Sequence, residues 1–177
     1  YQSVSEMSLI QEQMRVFFEP NSIAIVGASR DVAKAGHVIF KNFVENKKRG
    51  LFKGGLYPVN PGEKSILGYP CYPSVTDVPG ELDLITVVVP ARFVPKVMED
   101  AAKKGVKAAV VISSGFGEIG ERDLEEQVKM IAYRAGIRLL GPNCLGVFDS
   151  HTGVDMLFLP ETKVLSTGDE MVATPRP

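Results

Sequence analysis

"IAIVGASRDVAKAGHVIFKNF", residues 23–43, runs from apolar, β-prone residues through a loop bearing glycine, serine and cations into a segment of helical periodicity. Ile39, Phe40, Phe43 and Val44 recur at three- and four-residue spacing, and Lys47, Lys48, Arg49 and then Gly50 supply the basic last turn and glycine stop that suit exposed carbonyls. A strand feeding a helix through such a loop is the first half of a parallel crossover. Its loop is also where backbone N–H groups and the helix start attract an anion.

Further along the chain the same grammar repeats. "SIAIVGA" (22–28), "GLYPVN" (55–60), "LDLITVVVP" (82–90), "VKAAVVIS" (106–113) and "GIRLLGP" (136–142) are nearly continuous apolar runs, the signature of strands buried on both faces of a sheet. Helices are predicted over 36–49, over 93–104 with Pro95 near its first turn and Gly105 after it, and through Leu124, Val128, Ile131, Ala132 and Ala135 before Gly136. Strand and helix alternate four times, which predicts an α/β, Rossmann-like doubly wound fold: a mainly parallel sheet with flanking helices. Ligands of such sheets bind beyond the carboxyl ends of the strands. Five post-strand segments, 27–34, 60–64, 90–92, 113–118 and 141–146, are therefore expected to converge.

Ahead of the first strand, Leu9, Met14, Phe17 and Phe18 suggest a short amphipathic helix stopped by Pro20, so residues 1–20 read as a helical extension of a domain spanning 21–160. Residues 161–177 lose periodicity and end on Pro-Arg-Pro, as a linker toward a missing downstream domain would.

Composition narrows the partners. Twenty Lys+Arg against twenty-one Asp+Glu in 177 residues give a net charge of -1, so no bulk field favours nucleic acid or an anionic membrane, and any anion site is local. Cys71 and Cys144 lack metal or disulfide spacing, and no apolar run is long enough to span a bilayer, so a cytoplasmic setting with no metal site is expected.

The first loop is G-A-S with a second glycine, Gly36, nine residues on, which is not G-x-G-x-x-G. Gly27 and Gly36 would serve strand-to-helix packing alone, whereas Ser29, Arg30 and Lys34 add a hydroxyl and two cations suited to more than one phosphate. A dinucleotide such as NAD demands an acidic residue after the second strand to hold the ribose hydroxyls. Asn60 and Pro61 stand there instead, with Glu63 displaced. A ribose carrying a phosphate prefers a cation, which Lys64 with Arg30 or Lys34 supplies, although Lys64 reads equally as a solvated turn residue.

The succession "FFEPNSIAIVGASRDVAKAGHVIFKNF", "GLYPVNPGEKSILGYPCYPSVTDVPGELDLITVVVPA", "VVISSGFGE" and "LLGPNCLGV" resembles the coenzyme A-binding domain of the NDP-forming acyl-CoA synthetases, the archaeal-type ADP-forming acetate–CoA ligases. It is more distantly similar to the α subunit of succinyl-CoA synthetase, and the match covers about residues 15–160. The resemblance implies that Gly27, Ala28, Ser29, Arg30 and Lys34 lie along the nucleotide and phosphates of coenzyme A, with Val59, Asn60, Pro61 and Lys64 against the same nucleotide. Val89, Pro90 and Ala91 line the pantetheine path. Ser114, Gly115, Phe116, Gly117 and Glu118, with Gly141, Pro142, Asn143, Cys144 and Gly146, approach the thiol. Phosphohistidine, ATP or ADP and Mg belong to downstream or partner domains, and an oligomer is compatible with the family.

The chain's own residues agree that catalysis is elsewhere. His37 lacks a catalytic partner in the sequence, and "SHTG" at 150–153, a decoy for the family's phosphohistidine segment, falls in a hairpin-like region just after G-P-N-C-L-G. Cys144 has no evident base to form a thiolate. Asn143 would orient an acyl or phosphoryl oxygen or merely close a turn, and Glu118 would position a substrate group or cap a helix. No G-x-x-x-x-G-K-[ST] loop occurs. The rival readings are a stand-alone coenzyme A-sensing module and an NAD-linked oxidoreductase domain.

Overall fold

The computed structural model describes residues 4–112, 122–141, 148–149 and 154–155. In chain order the elements are α1 (Val4–Phe18), β1 (Ser22–Val26), α2 (Ala35–Lys48), β2 (Gly55–Val59), β3 (Ser65–Ile66), β4 (Tyr69–Pro70), β5 (Leu84–Val87), α3 (Val94–Lys104), β6 (Ala108–Val111), α4 (Arg122–Ala135), β7 (Arg138–Leu140), β8 (Phe148–Asp149) and β9 (Val154–Asp155). β2, β1, β5, β6 and β7 form one parallel sheet in that order. The first crossover runs from β1 to one side and the later ones run to the other, so the direction of winding reverses between β1 and β5. In open α/β sheets the ligand-binding crevice forms at such a reversal.

Alternation along the strands divides the core in two. Ile23 and Ile25 join Ile39, Phe40 and Phe43 of α2 on one face, while Ala24 and Val26 join Met98 of α3 and Val128 of α4 on the other. Phe40 and Phe43 are fully buried, each contributing about 2 to 3 kcal/mol by leaving water. Their rings meet Tyr69 and Phe52 edge to face, at centroid distances of 5.6 and 5.2 Å.

Helix ends follow the sequence signals. α3 starts with proline in its first turn and stops at Gly105, whose φ of 81° takes the left-handed conformation and whose N–H returns to Ala101 and Ala102 carbonyls. Pro58 sits in β2, the edge strand, where a missing N–H is tolerated.

Three differences from expectation stand out. The strands are shorter than the apolar runs, and the residues that follow β1, β2 and β5 line the crevice at the carboxyl edge instead. No helix joins β2 to β5: the linkage is the antiparallel β3–β4 hairpin, a bridge pairing Val59 with Tyr72, and a 3-10 turn at Val75–Asp77. Pro73 and Pro79 bracket that turn and leave no room for a helix. Among the α1 side chains described, Phe17 and half-buried Val16 pack on the α2 face, while Met14 and Phe18 are exposed. The expected hairpin beyond Gly146 is present as the β8–β9 pair, and Val154 joins the α2-side core. Among the described residues no helix is long and apolar enough to cross a membrane.

Candidate functional site

At the carboxyl end of the sheet, where the winding reverses, lies a crevice of about 360 Å³. It brings together six of the residues expected from sequence: Gly27 after β1, Val59, Asn60 and Pro61 at the end of β2, and Val89 and Pro90 after β5. Val26, Val75 and Val97 complete an apolar floor. On the rim, Asp100 accepts from Lys96 Nζ at 2.9 Å and from Ser74 Oγ at 3.2 Å. The neighbouring carboxylate raises the pKa of the Lys96 ammonium, through that hydrogen bond first and its charge second.

Glycine is required at two places here. Gly27 has a φ of +94°, and a Cβ on it would lie 2.9 Å from Val88 O. At Gly36 a Cβ would stand 2.0 Å from Gly27 O, so the first turn of α2 approaches the end of β1 backbone to backbone. The packing reading of these glycines therefore holds, and the loop they shape remains available for a ligand.

The rest of the loop divides into held and offered groups. Ala28 is fully buried and its carbonyl accepts from Asn60 Nδ2 at 2.8 Å. Ser29, 7% exposed, accepts the Asp31 N–H on its Oγ at 3.0 Å, and its carbonyl receives His37 Nδ1 at 2.8 Å. Arg30 and Lys34 are exposed. Lys34 is the N-cap of α2 with extended backbone, and no side chain caps that terminus. Its position leaves the positive end of the helix next to two cations, an arrangement suited to phosphate.

Asn60 is a junction. Besides holding Ala28 it accepts the Gly62 N–H on Oδ1 at 2.8 Å, donates its own backbone N–H to Tyr72 O at 2.9 Å, and receives the Cys71 thiol on its carbonyl at 3.5 Å. Burial, more than any charge nearby, pushes the Cys71 thiol up. Lys64, at the exposed turn before β3, is not among the crevice residues. Ala91 is 6% exposed and packs into the α3–α4 core, so it supports the crevice from behind. Gly141 is described, half-buried with a φ of +97°. Ser114, Gly115, Phe116, Gly117, Glu118, Pro142, Asn143, Cys144, Gly146 and His151 lie outside the described residues.

Sequence reasoning missed Phe93, Lys96, Val97 and Asp100, which line one wall. They recur at i, i+3, i+4 and i+7, a stripe distinct from the buried Val94, Met98 and Ala101, and that spacing was the available signal.

The comparisons with known proteins meet this geometry. The family model described as "CoA binding domain" matches residues 21–149. The ADP-forming acetate–CoA ligase of Methanocaldococcus jannaschii is 44% identical over 146 residues, spanning 82% of this chain and 20% of the relative. The α subunit of the ADP-forming acetate–CoA ligase II of Pyrococcus furiosus is 41% identical over 150 residues, spanning 83% of this chain and 32% of the relative. Among solved structures, the "dinucleotide forming" acetyl-coenzyme A synthetase 1 of Ca. Korarchaeum cryptofilum, in complex with phosphate and ADP, superposes with a TM-score of 0.77 at 41% identity, covering 83% of this chain and 31% of that one. The chain thus spans a fifth to a third of the length of these relatives. With the family model covering nearly all of the sheet and the crevice at its edge, the chain belongs to the CoA-binding domain family.

Proposed function

We propose that this chain is the coenzyme A-holding domain of an ADP-forming acyl-CoA synthetase. The phosphates lie on the Gly27–Lys34 loop with Arg30 and Lys34 as charge partners, and Lys64 completes the cationic border. Part of the nucleotide and pantetheine chain lies against the apolar walls formed by Val59–Pro61 and Val89–Pro90. The thiol end runs toward Ser114–Phe116 and toward Asn143 and Cys144. A crevice of about 360 Å³ takes only a portion of so long a ligand, at the small end of the usual range of roughly 300–1,000 Å³. The remainder lies along the sheet edge.

The observation that carries this reading is the state of Asn60. Both ends of its amide are engaged, by Ala28 O and by Gly62 N–H, where a dinucleotide fold needs a carboxylate free to accept from two ribose hydroxyls. The nearby exposed groups are cations, which suit an adenosine carrying an additional phosphate. The domain's contribution to acyl transfer is to fix the coenzyme in place, which removes translational and rotational freedom before the reacting groups meet. Nucleotide and acid are supplied by other domains or subunits of the parent protein, as names such as ADP-forming acetate–CoA ligase and its α subunit suggest, and the phosphohistidine is the one the family resemblance implies.

Titration calorimetry with coenzyme A, dephospho-coenzyme A and NAD tests this. Coenzyme A is expected to bind most tightly and dephospho-coenzyme A more weakly. Tighter binding of NAD would replace the proposal with a dinucleotide-dependent oxidoreductase.

A further inference from the structure

Gly27, Ala28 and Ser29 carry three successive carbonyls, each met from a different quarter. Gly36 crowds the first at a distance that admits no side chain. Asn60 Nδ2 and His37 Nδ1 each take one of the other two at 2.8 Å. A backbone carbonyl only accepts, so His37 carries a proton on Nδ1. The ring is 7% exposed and lies in the first turn of α2. Placing an imidazole in that setting to hold one loop carbonyl is more than filling space demands.

A trans peptide is planar, and its C=O points opposite to the N–H of the next residue. Drawing Ala28 O toward Asn60 therefore turns the Ser29 N–H away from Asn60. Drawing Ser29 O toward His37 turns the Arg30 N–H away from His37. Among the described residues neither N–H has a protein acceptor. An amide at a residue as covered as Ser29 is costly to leave without one. Two successive amides whose carbonyl partners the protein already holds are thereby left as donors for phosphate oxygens above the loop.

The geometry points to His37 and Asn60 as positioning residues that set the peptide planes at 28–29 and 29–30, so that the Ser29 and Arg30 amides donate to a phosphate group. His37 does so without touching the ligand. This deepens the coenzyme A reading and rests on it for the identity of the phosphate, but the orientation of the amides is testable with a simpler anion.

The test uses the ¹⁵N-labelled 177-residue chain, titrated separately with inorganic pyrophosphate and with coenzyme A. In the parent, the Ser29 and Arg30 amide resonances are expected to move downfield with both. His37→Ala is expected to lose those shifts and to bind coenzyme A about tenfold more weakly, the scale of one well-placed hydrogen bond. His37→Asn, whose amide nitrogen reaches the place of Nδ1, is expected to recover both within about threefold. A folded His37→Ala chain that binds like the parent, or a folded His37→Asn chain as weak as the alanine variant, overturns the proposal. Should His37→Ala fail to fold, the parent titration decides by itself: Ser29 and Arg30 amides that stay in place on adding pyrophosphate overturn it. If the parent ignores coenzyme A yet pyrophosphate moves those amides, the loop assignment stands and the coenzyme reading falls.

Discussion

The two ends of the sheet differ in how their polar groups are used. Beneath the amino ends of the strands lies the larger hollow, about 680 Å³, bordered by α1, the turn before β2 and the start of β5. Four of its six charged side chains pair with one another, Glu12 and Lys53 standing outside these pairs. Asp83, buried at 5% exposure, accepts from Asn21 N–H at 3.0 Å and pairs with Lys107 at 3.3 Å, while Ser22 Oγ links the Asp83 N–H to the Glu81 carbonyl. Arg15 closes on Glu19 at 2.7 Å. The carboxyl end has a smaller, more apolar crevice, and among the described residues its loop keeps two amides without protein acceptors beside two exposed cations. Size therefore says little about which end binds an anion. Unspent donors say more, since a satisfied network gains nothing from a ligand.

Substitutions at the two ends should separate stability from binding. Gly36→Ala drives a methyl into Gly27 O and is expected to cost about 3 kcal/mol or more in urea unfolding, with coenzyme A binding lost as well. A parent-like melt would show that α2 does not press on the loop as described. Asp83→Ala is expected to destabilise the chain by about 2 kcal/mol and to leave coenzyme A affinity unchanged, because it strands the Asn21 N–H far from the crevice. Weaker binding at parental stability would break the comparison. Arg30→Ala and Lys34→Ala should do the converse, weakening coenzyme A by about 1 to 2 kcal/mol each in calorimetry while the melting temperature holds. Finally, the half-buried Cys71 thiol is expected to alkylate more slowly at pH 7 in the folded chain than after unfolding, as read by peptide mapping, since burial keeps it protonated. Equal rates in both states would mean that the Asn60 junction opens freely.

Much of the carboxyl end was legible in the sequence, because strands buried on both sides write themselves as continuous apolar runs and the residues after them lie on one edge by topology. Of the residues that line the crevice, Gly27, Asn60, Pro61 and Pro90 fall in segments read in this way, while Val59 and Val89 came from the family resemblance. Phe93, Lys96 and Asp100 were not, because a helix face that borders a crevice shares its spacing with one that borders solvent. The work of His37 was likewise hidden: its hydrogen bond spans eight residues around a turn whose path depends on Gly36 meeting Gly27. The β3–β4 hairpin escaped notice because two-residue strands carry no periodicity.

The strand order has a bearing on how the polypeptide matures. β1 lies between β2 and β5, and Ile23 meets Leu84 only after the whole excursion through α2 and the hairpin has been made. A nascent chain emerging from the ribosome thus presents the apolar β1 strand, with one flank unsealed, until residue 87 is clear of the exit tunnel. During vectorial synthesis that interval, rather than any later step, is when this sequence has most need of a chaperone.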